Sequence, residues 1–139
     1  MDITQVAKVD IQPDKTINEA LPNLVKYEPV SDNNIGLQRI YELLDCNSKM
    51  FQPVWLGKLR DNNELHYLVD EEGLISGQWK RGVMIKNEVG EQLDLVGNGI
   101  FVKSTPDGEY KGWTDTREMA DDLRKYTSSI KLFDIEPTE

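Results

Sequence analysis

The chain has 139 residues, with 16 Lys or Arg against 25 Asp or Glu, a formal net charge of −9 and a pI near 4.6. That length suits one domain with its own core rather than two, and 38% hydrophobic with 29% charged residues are globular proportions. So acidic a surface repels phosphate backbones and disfavours direct nucleic-acid binding; no apolar run nears the ~20 residues of a membrane span; and a single cysteine, Cys46, excludes an intramolecular disulfide and Cys/Cys zinc pairs.

The opening "MDITQVAKVD" has no basic segment leading into an apolar block, so a reducing cytoplasm is the expected location. Residues 1–23 read as a loosely packed arm: "VAKVDIQ" is a candidate edge strand, and Pro13 and Pro22 interrupt the stretch after it. "LVKYEPV", from Leu24 to Val30, is more strand-like. Ser31 and Asp32 are suitable N-cap residues for a helix whose apolar positions Leu37, Ile40, Tyr41 and Leu44 recur at helical spacing and which ends near Asn47.

From there to Trp113 the pattern is that of a sheet. "FQPVWLGKL", the turn "RDNN" and the alternating "ELHYLVD" make a hairpin. "DEEG" reads as a second turn closed by Gly73, after which "LISGQW" returns as a strand. Val83 and Ile85 alternate after Gly82, "NEVGEQ" turns the chain, and "LDLVGNGIFVKS" contains a strand around Ile100–Val102. "TPDG" then has the residues of a type I turn, with "EYKGW" returning. "LVDEEGLISGQW" and "FVKSTPDGEYKGW" are near echoes, read as two similar hairpins with Gly at the bend and Trp where the sheet meets a helix.

The second helix is clearly punctuated. Asp115 is placed to cap it with Glu118 reaching back, Met119, Ala120, Leu123 and Tyr126 form its apolar stripe, and Asp121 and Asp122 precede Arg124 and Lys125 as the helix dipole favours. "SSIKLFDIE" predicts a last short strand. These elements together imply an α+β fold class, a mostly antiparallel twisted sheet of five or six strands with two helices packed against one face.

The helix "IGLQRIYELLD", the strand and turn "LVDEEGLISG", the strand "LVGNGIFV" and the closing "DGEYKGWTD" together resemble a family of small proteins of unknown function carried by bacteriophages, plasmids and their bacterial hosts. The resemblance spans about Tyr27 to Asp115. It implies a fold and a mobile-element setting, and no reaction.

Catalysis needs a base titrating near working pH, an activated nucleophile or a metal. His66 is the lone histidine, and nothing pairs it with a nucleophile at recognisable spacing; on an alternating strand it is expected to face solvent. Cys46, just past a helix, reads as a structural thiol. Asp70, Glu71 and Glu72 lack the spacing of a calcium loop, and "VGNGI" and "GLISG" lack the glycine pattern and following helix of a phosphate loop, so no metal and no cofactor is expected. A hydrolase or transferase is the least favoured reading.

Two binding readings remain. The leading one is a non-enzymatic accessory protein of a phage or mobile element that binds a host protein through an acidic surface, with Asp70, Glu71, Glu72, Asp121 and Asp122 as partner-binding carboxylates. The alternative is a protein that sequesters a nucleotide-derived signal, using Trp79 to stack and Lys80 and Arg81 to hold phosphate, at a possible homodimer seam.

Overall fold

The computed structural model describes residues 4–9, 23–29, 34–45, 50–70 and 81–134. Among them the elements run β1 (Thr4–Val9), β2 (Asn23–Tyr27), α1 (Leu37–Leu44), β3 (Phe51–Lys58), β4 (Glu64–Asp70), β5 (Arg81–Lys86), β6 (Gln92–Val96), β7 (Gly99–Ser104), β8 (Tyr110–Lys111), α2 (Thr116–Thr127) and β9 (Lys131–Asp134). The class is α+β with antiparallel pairing throughout, in two sheets rather than one. Six strands form the larger sheet in the order β2-β1-β7-β4-β3, with β8 also on β7; the smaller sheet is β6-β5-β9.

The second sheet and the placement of the helices follow from the central strands. Along β4, Leu65, Tyr67 and Val69 pack into one core while Leu68 packs into another; along β7, Phe101 joins the first and Ile100 and Val102 the second. Strands that read as near-continuous apolar runs need cover on both faces. One face receives Met119, Leu123 and Tyr126 of α2 together with Val83 and Ile85 of β5, and the opposite face receives Ile40, Leu43 and Leu44 of α1. The helices therefore lie on opposite sides of the larger sheet, not on one as expected.

Other departures are local. β1 lies between β2 and β7 with Val6 and Val9 fully buried, so this part of the expected loose arm is an interior strand. The N-cap of α1 is Gly36, with no side-chain cap; Ser31 and Asp32 fall outside the described residues, and the helix ends at Asp45 in the left-handed region. Leu37 is 56% exposed, so the buried stripe is Ile40, Leu43 and Leu44. α2 forms where its signals put it, with Asp115 Oδ1 accepting from the Arg117 and Glu118 amides at 2.8 and 3.3 Å.

The two echoing segments part company. "TPDG" closes β7 onto β8, with the Gly108 amide donating to the Thr105 carbonyl and Gly108 at φ 84°, where a side chain would be strained. In the other, residues 71–80 lie outside the described residues, and so does the strand expected at "LISGQW". β4 has β3 along one edge and β7 along the other, and β5 belongs to the smaller sheet, so the chain changes sheets between Asp70 and Arg81.

Candidate functional site

The acidic residues of α2 divide by direction. Asp122 points inward: its Oδ2 accepts the Trp113 Nε1 proton at 2.9 Å, its other oxygen lies 3.8 Å from Arg60, and only 10% of its side chain is exposed. Asp121 points out, 48% exposed, and accepts from Arg124 three residues on at 3.0 Å. Glu118 is also outward and does not reach back to cap the helix; it lies 3.5 Å from Lys103 of β7.

Lys103 is a buried cation, held by Asp61 at 3.2 Å and Glu118 at 3.5 Å, with its ammonium 5.4 Å from the centre of the Trp113 ring. A buried charge needs such partners. Partial burial pushes the Asp61 carboxyl upward, but the Lys103 ammonium and the Asn63 amide outweigh it and leave that carboxyl below its ordinary value. Asp61 and Glu118 thus place two exposed carboxylates beside a buried cation, while Asp121 adds a third that is paired with the exposed Arg124.

The other expected carboxylates are not brought into this group. Asp70 ends β4 opposite Phe51, is buried, and shares the side of Leu68, which packs toward α1 and away from α2. Glu71, Glu72, Trp79 and Lys80 lie outside the described residues; Arg81 opens β5 with its backbone in register with Asp134. The stack-and-phosphate trio therefore has no described geometry.

On the α1 side, sequence reasoning missed an aromatic row. Tyr41 of α1 and Phe51 of β3 have ring centres 6.0 Å apart at 53°, and Phe51 meets Tyr110 of β8 at 5.7 Å and 73°, an edge-to-face contact. All three rings are half-buried. The row joins elements far apart in sequence, so no spacing announces it; Pro53, a mark of an edge strand, is the one local signal that β3 lies at the margin. Burial alone raises the Tyr110 phenol above its ordinary value, which keeps it neutral at physiological pH.

His66 is on this same side, paired across β4–β3 with Trp55 and across β4–β7 with Val102. It is half-buried rather than pointing freely into solvent, and its Nδ1 is buried with no hydrogen-bond partner among the described residues. Burial pulls its pKa below 6.5 against the opposing pull of Glu64, so the ring is neutral at pH 7. No nucleophile among the described residues is hydrogen-bonded to it.

A cavity of about 240 Å³ opens at the β3–β4 turn, lined by Lys58, Leu59, Asn62, Asn63 and Glu64. Glu64 is its one acidic residue. Among the described residues no three of His, Cys, Asp and Glu converge as a metal set, and no helix is long and apolar enough to cross a membrane. The chain matches no family model, no curated protein and no solved structure. The described geometry offers exposed carboxylates beside α2 and a half-buried aromatic row beside α1.

Proposed function

We propose that this protein is a non-enzymatic accessory factor, in the mobile-element setting that its sequence resemblance implies, and that it captures a basic host protein through its acidic surface. The observation that carries this reading is the pair of exposed carboxylates, Asp61 of the β3–β4 turn and Glu118 of α2, that flank the buried Lys103, with the exposed Asp121 further along the helix in an ion pair with Arg124. With Lys103 turned inward and the chain at −9, the net field favours positively charged partners and speeds their encounter, partly offset on this side by the exposed Arg60 and Arg124. Asp121 stays in the partner-binding set proposed from the sequence. Asp122 acts there indirectly, by fixing Trp113 beneath the helix.

The test is capture from bacterial lysate by the immobilised protein at low and high salt, with retained proteins identified by mass. Glu118→Gln combined with Asp121→Asn removes two outward charges and leaves the Asp122–Trp113 bond in place. The double variant is expected to lose a salt-sensitive partner that the wild type retains, with a modest fall in melting temperature because Glu118 is one of two carboxylates on the buried Lys103, whereas Asp121→Asn alone should leave the midpoint nearly unchanged. Retention of the same partner undiminished, or by a salt-insensitive contact, defeats the reading.

A further inference from the structure

We infer that the β5–β6 turn is a built-in edge guard: Glu88 sits on the outer margin of β3 as a neighbouring strand would, and keeps a second copy of this chain from pairing there. The device is independent of the charge-based capture proposed above.

β3 is the last strand of the larger sheet, so its outward N–H and C=O groups invite another chain unless something takes them. Upstream, the strand blunts its own margin: Pro53 has no N–H, and the ladder with β4 shifts register between Trp55 and Gly57. Past the shift, Glu88 takes over. Its amide donates to the Leu56 carbonyl at 2.6 Å, and its Oε2 accepts from the Lys58 amide at 2.9 Å. One residue of an added parallel strand makes these two bonds around the residue opposite it, here Gly57; a carboxylate oxygen stands in for that strand's carbonyl.

Apolar burial does not seat the turn on this margin. Val89 at its tip is 68% exposed, and Glu88 is exposed as well. Gly57 makes the approach possible, since a Cβ there would strike the Tyr126 hydroxyl and the Glu88 carboxylate.

The groups that Glu88 occupies select a second copy as the occupant it excludes. If β3 met β3 of a copy about a two-fold axis at Gly57, the Lys58 amide of each would donate to the Leu56 carbonyl of the other. Donor and acceptor released by Glu88 thus satisfy each other, with no further residue required.

Glu88→Pro removes both bonds at a position that accepts proline. The Gly90 amide donates to the Asn87 carbonyl, which makes Glu88 the second residue of the turn, and its φ is not positive. Light scattering across a concentration series, at about 0.3 M sodium chloride to screen the net charge, is expected to show self-association at least about tenfold tighter than that of wild type. Adding Lys58→Pro withdraws the β3 donor while sparing the bonds to β4, because that amide points to Glu88, and is expected to restore wild-type behaviour. Glu88→Gln, which keeps an acceptor, is expected to match wild type throughout.

Wild-type association by Glu88→Pro with its near-ultraviolet circular dichroism intact overturns the inference, as does association that Lys58→Pro leaves in place. Glu88→Ala decides the question even if the proline variant does not fold, because it removes only an exposed carboxylate. Hydrogen exchange at the Lys58 amide is expected to speed up about tenfold in that variant, and an unchanged rate overturns the guard.

Discussion

The indole nitrogen of Trp113 is buried beneath α2, and the Asp122 carboxylate that accepts its proton is almost fully enclosed with it. Its sequence neighbour Asp121 stands in solvent with an exposed ion pair to Arg124. Two adjacent carboxylates thus do different work: an enclosed hydrogen bond to a charged group is strong and costly to leave half-made, whereas an exposed pair adds little. Asp122→Ala is expected to destabilise the fold by about 1–3 kcal/mol because it strands the indole donor, while Asp121→Ala should stay within about 0.5 kcal/mol of wild type. Urea unfolding of the two variants separates them. From the sequence the pair "DD" is one acidic feature; only the direction of each side chain, set by the rotation of about 100° per helical residue, divides it.

Among elements, α2 was the most legible. Its cap, its apolar stripe and its charge order are all local signals, and they are found in place except that Ala120 of the expected stripe is exposed, leaving Met119, Leu123 and Tyr126 buried, and that Glu118 does not reach back. Asp115→Ala removes the acceptor for two helix amides and is expected to cost about 1 kcal/mol, measurable as a lower thermal midpoint, with Asp115→Asn recovering most of it. The hairpins β3–β4 and β7–β8 were legible for the same reason, since their turns carry their own residues. α1 was less so: its stripe is rotated from the expected one because Leu37 sits on the first turn, where the chain arrives from Asn34 bridged to Lys111, and its cap is a glycine. The partition into two sheets left no local mark. It depends on which edges of β4 and β5 are occupied by strands distant in sequence, and the aromatic row depends on the same long-range pairing.

At the scale of the whole molecule, charge and topology act together. Lys103 is the one described cation that is buried, so its charge is spent inside while the carboxylates around it remain at the surface. Outward repulsion among acidic groups should therefore limit stability at low ionic strength. Raising sodium chloride from about 0.02 to about 0.5 M shortens the screening length several-fold and is expected to raise the thermal midpoint by a few degrees. A midpoint that falls instead would mean that the ion pairs around Lys103 contribute more than the repulsion costs.

The central strands β4 and β7 have a helix-covered core on each side, with Ile100 and Val102 of β7 turned to α1 and Phe101 and Lys103 turned to α2 and its surroundings. Neither half of the molecule can peel away without baring the back of the other. Local opening is thereby pushed to the margins, and the amide protons of β7 should be the last to exchange with solvent, all of them leaving only in the same global event.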